Sequence, residues 1–349
     1  MSKVKIAIAG VGAIGRRHVE LLQASDACEL IAVVDPIAAP PAYLSSLGVP
    51  QYPSLEALFA KHKPEGVILA TPNALHVPQA IECIEADVAV LVEKPIAHSV
   101  EEGLRLCEVV ERRNARLLVG HHRAHSPILE RARQVIREGL LGDLVAVQGS
   151  ALFYKPDDYF DAAPWRRQVG GGPILINLIH EIGNLRSLCG EIVAVQAMQS
   201  SAARGFAVED TVCIGLRFDS GMLGSFLLSD SAACARSWEQ TSQENADYCS
   251  YDDEDCYVIS GKNGSLSVPT MRLKTYDKVE NRSWFKPFER SVAAVQLRDP
   301  LQSQLEHFCA VIRGTAEPLV TVRDGLRNLI IVEAIAEAAR TGEIVSTAA

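Results

Sequence analysis

Hydrophobic positions in the first third of the chain follow two alternating rhythms. Runs with no polar alternation, VKIAIAG (4–10), ELIAVVD (29–35), GVILAT (66–71), AVLVEK (89–94) and RLLVGHH (116–122), read as strands buried on both faces. Between them apolar residues recur every three or four positions: from about Ile14 to Ser25, then SLEALFAKH (54–62), NALHVPQAIECIEA (73–86) and SVEEGLRLCEVVERRN (99–114). Ser54 suits an N-cap, and Ser99 with Glu102 forms a capping box. Strands alternating with helices predict a doubly wound α/β domain over residues 1–122, its parallel sheet covered on both faces.

Past His122 the rhythm changes. A helix (126–140) leads into an extended strand (144–153), an aromatic- and proline-rich loop, and a segment, 170–190, that is helical after its glycines. Strand-like runs then follow one another at 191–200, 210–218, 221–231, 255–261 and 264–269, with helices near 302–313 and 323–341. Consecutive strands without intervening helices predict a second, α+β domain over 123–349, built on a large, mostly antiparallel open sheet. The last helix is free to pack back on the N-terminal domain.

Composition agrees with two packed domains and narrows the partners. The 349 residues are 48% hydrophobic and 22% charged, with a formal charge of −9, so nucleic acid and anionic membrane surfaces are poor partners. No apolar stretch approaches the roughly 20 residues of a membrane span. MSKVKIAIAG enters a strand at once, which leaves no room for a signal peptide. The nine cysteines form no CxxC pair. Cys83, Cys107, Cys189, Cys213 and Cys309 fall inside patterned segments and read as small buried hydrophobes, free thiols of a reducing cytoplasm rather than metal ligands. The acidic run YDDEDCY (251–257) reads as a solvated loop.

Chemistry enters at GVGAIG. Gly10 permits a tight turn, Gly12 lets a pyrophosphate approach the backbone, and Gly15 allows close helix–strand packing, with Ala13 and Ile14 in the opening turn of the helix. The helix N-terminus offers N–H groups and a positive dipole end to phosphates. Asp35 ends the second strand, 20 residues after Gly15, where a carboxylate can accept from an adenosine ribose. It repels a 2′-phosphate, and Pro36 and Ile37 add no cation, so NAD(H) is favoured over NADP(H); Arg16 and Arg17 are the counterweight. Thr71, Pro72, Asn73 and His76 in ATPNALH stand at the end of the third strand, either lining the cofactor or simply capping a helix. Lys94 ends the fourth strand behind Glu93, and Pro95 biases it toward an extended backbone. It is either a proton-transfer lysine on the carboxyl edge of the sheet or half of a surface ion pair with Glu93.

GVGAIG, ATPN…H, EKP and a GGG-led helix carrying a histidine together resemble the Gfo/Idh/MocA oxidoreductases, the glucose–fructose oxidoreductase and inositol dehydrogenase group, from Val4 to about Arg340. The resemblance implies an N-terminal Rossmann domain and a C-terminal α/β domain whose open sheet mediates homodimers or homotetramers. It implies hydride transfer between nicotinamide and a ring secondary alcohol of a sugar, cyclitol or related polyol, with Lys94 and His180 as catalytic residues. Relatives commonly place an aspartate four residues before that histidine; here the position is Ile176, Asn177 is the nearby polar residue, and Gly183 stands where many carry a second acid. His180 and Lys94 are therefore expected to divide proton transfer, with Asn177 bonding a substrate hydroxyl. His122 and Arg123 in GHHRAHS, and Trp165 and Arg166 in PWRRQVGGG, are further substrate candidates or ordinary loop residues. The aromatics Phe153, Tyr154, Tyr159 and Phe160 suggest a partly apolar wall. An alicyclic cis-dihydrodiol, a carboxylated ring alcohol held by Arg123 or Arg166, and a non-catalytic NAD-binding regulator are the alternative readings.

Overall fold

The computed structural model describes residues 2–36, 43 and 46–347. The chain divides into two compact units, residues 1–125 with 300–329, and residues 126–299 with 330–349.

In the first unit the elements run β1 (Val4–Ala9), α1 (Ala13–Ala24), β2 (Cys28–Val34), β3 (Gln51–Tyr52), α2 (Leu55–Phe59), β4 (Gly66–Leu69), α3 (Asn73–Glu85), β5 (Ala89–Glu93), α4 (Val100–Arg113) and β6 (Leu117–Gly120). The strands pair in parallel in the order β3-β2-β1-β4-β5-β6. Ser54 caps α2 by accepting from the Ala57 N–H, and Ser99 caps α4 by accepting from the Glu102 N–H. Ile6, Ile8, Ile68, Leu91 and Leu118 of the strands are buried together with Leu305, Phe308, Cys309 and Ile312 of a helix spanning Pro300–Ile312. That helix returns to the first unit from a position far along the chain, whereas the local pattern groups it with the second domain. Its apolar face is legible in sequence, but the surface that covers it is not.

The second unit holds a nine-stranded sheet built from β7 (Leu144–Leu152), β8 (Ile192–Ser200), β9 (Thr211–Phe218), β10 (Leu223–Ser229), β11 (Tyr257–Gly261), β12 (Gly264–Val268), β13 (Arg272–Thr275), β14 (Glu289–Val292) and β15 (Val345–Ser346). The order is β14-β13-β12-β11-β7-β10-β9-β8-β15, antiparallel except where β7 meets β10. Its core joins Phe218, Phe226 and Tyr257 to α5 (Pro127–Arg137) and α6 (Ile179–Cys189) through Leu129, Val135, Ile182 and Leu185. Val145, Met198, Leu223 and Leu227 of the strands are exposed.

Three expectations need correction. Cys213 lies exposed on β9, because its position in the strand's alternation points away from the core. The acidic run is not wholly solvated: Asp255 is buried, its carboxylate accepting from the Thr270 N–H (3.1 Å) and hydroxyl (2.6 Å) and pairing with Arg272. Those partners replace the water the charge loses. The segment 170–190 is not uniformly α-helical, since Ile174–Leu178 forms a π-helical turn ahead of α6. Among the described residues no helix is long and apolar enough to cross a membrane, and no cluster of His, Cys, Asp and Glu could hold a metal ion.

Candidate functional site

Two of the three motif glycines are dictated by packing. Gly10 has φ +87°, and a Cβ there would stand 2.5 Å from the Ala70 carbonyl oxygen; one on Gly15 would stand 2.1 Å from the Gly10 carbonyl oxygen. The first turn, α1 and the end of β4 therefore nest backbone against backbone. Gly12 differs, because its φ is −64° and a Cβ there would meet nothing within 4 Å. That open space faces a helix start with no side-chain cap and no acid in its first turn, where Ala13, Ile14 and Gly15 carry N–H groups that no i−4 carbonyl can satisfy. Asp35 follows β2 and accepts the Val11 N–H at 3.0 Å. An uncapped helix N-terminus, an open approach at Gly12 and a carboxylate after β2 fit the phosphates and ribose of a dinucleotide. Arg16 turns to the Val11 carbonyl (3.2 Å) and stacks on Tyr43, and Arg17 pairs with Glu20 (3.0 Å). Ile37 lies outside the described residues, and Pro36 is exposed.

Further along the same carboxyl edge, Thr71 donates its hydroxyl to Gln79 (2.6 Å). Asn73 is the first residue of α3 rather than its cap; Pro72 holds the N-cap position, with no side-chain hydrogen bond. His76 is only 1% exposed and its ring bridges two backbone carbonyls, Nδ1 2.8 Å from Pro95 O and Nε2 2.8 Å from Thr71 O. Burial lowers its pKa from the ordinary value, while the two carbonyls act in the opposite direction. The ring thus ties the β4 and β5 ends together, and both nitrogens turn to backbone rather than outward to a cofactor.

Glu93 is buried, and its partner is a residue the sequence pattern did not single out. His18 Nε2 lies 2.8 Å from Glu93 Oε1, with both side chains almost wholly enclosed. The signal was present but weak: Gly15, His18, Val19 and Leu22 make up the buried face of α1, so a polar ring stands on an apolar stripe. The second Glu93 oxygen accepts the Lys94 N–H at 3.2 Å. Lys94 itself is half-buried at the end of β5, before a cis Lys94–Pro95 peptide. Burial first, then the charges of Arg123 and Lys94, hold His122 well below its ordinary pKa, so it is neutral at neutral pH. Arg123 is buried in the 3₁₀ turn His122–His125, not presented on the surface, because the chain tightens directly after β6.

In the second unit the π turn Ile174–Leu178 runs into α6, where His180 is buried. Glu209 accepts the Ile174 N–H at 2.9 Å, and a Cβ on Gly172 would stand 2.2 Å from that carboxylate, so the glycine clears the acid's path to the helix start. Burial raises the Glu209 pKa. Asn177 lies in the π turn and its Oδ1 accepts from Lys155 Nζ at 2.7 Å, an interaction that sequence spacing on an α-helix does not anticipate. Lys155 is 9% exposed, stands 3.5 Å from Asp230 Oδ2, and has its pKa lowered by burial to about 8. Nothing in YKPDD marks this lysine as buried. Arg166 stacks 3.8 Å from the Tyr159 ring centre and donates to the Tyr159 carbonyl (2.6 Å), whereas Trp165 is 55% exposed. Of the expected aromatic wall, Phe153 and Tyr159 flank Lys155, at 5.5 and 4.8 Å. Phe160 is buried and Tyr154 is exposed.

Comparison with known proteins matches residues 4–121 to the "Oxidoreductase family, NAD-binding Rossmann fold" and residues 129–267 to the "GFO/IDH/MocA C-terminal domain". The chain belongs to the Gfo/Idh/MocA oxidoreductases. Its similarity to the rhizopine catabolism protein MocA of Rhizobium meliloti is 31% identity over 55% of this chain and 59% of that protein. Its similarity to the 1,5-anhydro-D-fructose reductase of Ensifer adhaerens is 28% over 83% and 82%. The crystal structure of the WlbA dehydrogenase of Chromobacterium violaceum, in complex with NADH and UDP-GlcNAcA, superposes with a TM-score of 0.77 at 26% identity, covering 99% of this chain and 96% of that one. The first third of this Gfo/Idh/MocA chain is thus an NAD-binding domain, and the protein is a nicotinamide-dependent oxidoreductase.

The glycines separate fold from ligand. Gly15→Ala has no room for its methyl group and is expected to lower the melting temperature. Gly12→Ala is expected to melt near wild type yet lose NADH affinity, since its methyl group occupies only the open approach to α1. Thermal unfolding and NADH fluorescence titration on both variants check this; normal NADH binding by Gly12→Ala would remove the glycine turn from the cofactor site.

Proposed function

We propose that this protein oxidises a secondary alcohol on a sugar or cyclitol ring, or reduces the corresponding ketone. The observation that carries the reading is the parallel register of the first sheet. It delivers Gly10 after β1, Asp35 after β2, Thr71 after β4 and Lys94 after β5 to one edge. A lysine on the edge that can hold NAD is available to the reacting hydroxyl. Bound NAD supplies the hydride acceptor. Lys94 and His180 hold the substrate hydroxyl and exchange its proton. His122, neutral and under the influence of the Lys94 charge, adds hydrogen-bonding capacity without a second positive charge. Ile176 leaves no carboxylate in the turn before His180, so proton transfer falls to the lysine and the histidine. The relative named 1,5-anhydro-D-fructose reductase supports a ring ketone or alcohol as substrate.

Lys94→Met is expected to keep NADH affinity while lowering turnover on sugars and inositols by roughly 10²- to 10⁴-fold, the usual share of general acid–base catalysis. His180→Ala should do comparable damage, and the double variant should lose little more, because the two act as one unit. Stopped-flow and steady-state rates across inositols and aldoses measure this. Tight NADH binding without turnover on any ring alcohol would indicate a regulator in place of an enzyme.

Asp35 is proposed to select NAD through its ribose. Asp35→Ser should weaken NADH binding and narrow the gap to NADPH, because the carboxylate that repels a 2′-phosphate is gone; fluorescence titration with both nucleotides reads the ratio. An unchanged ratio places the selectivity elsewhere.

A homo-oligomer assembled through the second sheet is part of the same proposal. Val145, Met198, Leu223 and Leu227 are exposed on strands that belong to one sheet, an apolar surface that pairing would remove from water. Sedimentation velocity at micromolar concentration should give a dimer or tetramer, and a stable monomer disposes of the interface.

A further inference from the structure

Lys155 lies in a cluster of buried charges in the second unit. Asp230 is buried, and its Oδ1 pairs with Arg204 Nε at 3.0 Å, while Arg204 also donates to the Lys155 carbonyl at 2.8 Å. Lys155 reaches the other Asp230 oxygen only at 3.5 Å. Arg166 shares the Tyr159 ring with Lys155, and its buried Nε has no hydrogen-bond partner among the described residues. Three cations, Lys155, Arg166 and Arg204, thus gather near Asp230, with the exposed Asp157 3.9 Å from Arg204 and the buried Asp210 accepting the Arg204 N–H at 2.9 Å. Glu209 accepts the Ile174 N–H at the start of the helix and feels the charges of Asp230 and Asp210. Burying the Lys155 ammonium is costly unless acceptors meet its protons.

The donors around Lys155 point the same way. Its ammonium gives one proton to Asn177 Oδ1 and directs another at Asp230, leaving a third. Asn177 Nδ2 has no partner among the described residues, so two donors, one of them cationic, stand side by side three residues ahead of His180. A pair of adjacent donors, one of them cationic, is matched by a carboxylate, whose two oxygens accept in parallel. A neutral hydroxyl would use one donor and leave the other without an acceptor.

We propose that Lys155 and Asn177 form a carboxylate-recognition site, with Arg166 in support, and that the ring alcohol handled by this protein carries a carboxylate group. The inference rests on the ring-alcohol reading above and narrows its substrate class. Lys155 is a specificity-determining residue on this account, distinct from the proton exchange assigned to Lys94 and His180.

Binding separates the two readings, because it can be measured without turnover. Calorimetric titration of NADH-loaded protein with matched pairs, D-glucuronate and D-glucose, D-galacturonate and D-galactose, quinate and myo-inositol, is expected to show a preference for the acid in at least one pair. That preference should be roughly 10- to 100-fold, the worth of a hydrogen bond to a charged group. Lys155→Met should abolish it, Lys155→Arg should keep part of it, and Asn177→Leu should reduce it about tenfold without altering the charge. The preference should also fall between pH 7 and 9: the Lys155 amine titrates at about 8, raising the pH removes the cation, and the sugar acid stays ionised throughout. Asp230, Arg166, Arg204 and the Tyr159 ring are the charged and titratable groups that face Lys155. If Lys155→Met does not fold, Asn177→Leu and the pH series decide the matter alone. No acid preference in any pair, or a preference that survives both substitutions and pH 9, overturns the site. Lys155-dependent binding of an acid without hydride transfer would keep the site and overturn the enzymatic reading.

Discussion

Parallel pairing of β1 with β2 and β4 sends three strand ends out of one edge, and the backbone at Gly10 passes so close to Ala70 that no Cβ fits between them. The rest of the first unit follows from that constraint. Because the turn is tight, α1 starts directly in front of the sheet edge, with first N–H groups that no carbonyl of its own helix can meet and Gly12 leaving the approach open. Because the neighbouring strands share the direction, Asp35 and Lys94 arrive on that edge with no loop of their own to carry them. An antiparallel sheet would send alternate strand ends to opposite sides and disperse the same residues.

Precision on this edge comes from buried polar contacts, not from the residues first visible as chemistry. His76 spans the carbonyls of Thr71 and Pro95, and His18 meets Glu93 across the whole width between α1 and β5. Each is enclosed, and each would cost free energy if its partner were lost, since a buried polar group without a hydrogen bond forfeits its hydration with nothing in return. Such ties fix the β5 end before any ligand is present. Lys94 is therefore carried by a backbone held on two sides, through Glu93 before it and Pro95 after it.

The second unit balances burial against charge in another way. Its helix starts against Glu209, whose carboxylate occupies the helix N-terminus where the dipole favours an anion. Lys155, bonded to Asn177 in the π turn, is held in a desolvated place by one amide, one distant carboxylate and two aromatic rings. Desolvation is the larger effect, which is why its ammonium is held below the ordinary lysine range despite Asp230.

Much of this was determined by the sequence alone. Strand and helix periodicity, the Ser54 and Ser99 caps, the glycine spacing and the position of Lys94 are local properties, set by side-chain alternation and by backbone sterics over a few residues. Local pattern therefore placed the doubly wound sheet, the mostly antiparallel second sheet and the cofactor turn. What it could not contain were choices made across long separations. His18 finds Glu93 from 75 positions away, Lys155 finds Asn177 from 22, and the helix Pro300–Ile312 packs on the first unit rather than the second. The short strands β3, β13, β14 and β15 exist because a neighbouring strand offers free backbone groups, not because their own residues alternate. Burial decided the remainder, for a lysine, a histidine or an aspartate has the same letter in water as in a core, and only the tertiary structure determines which of them must find a partner.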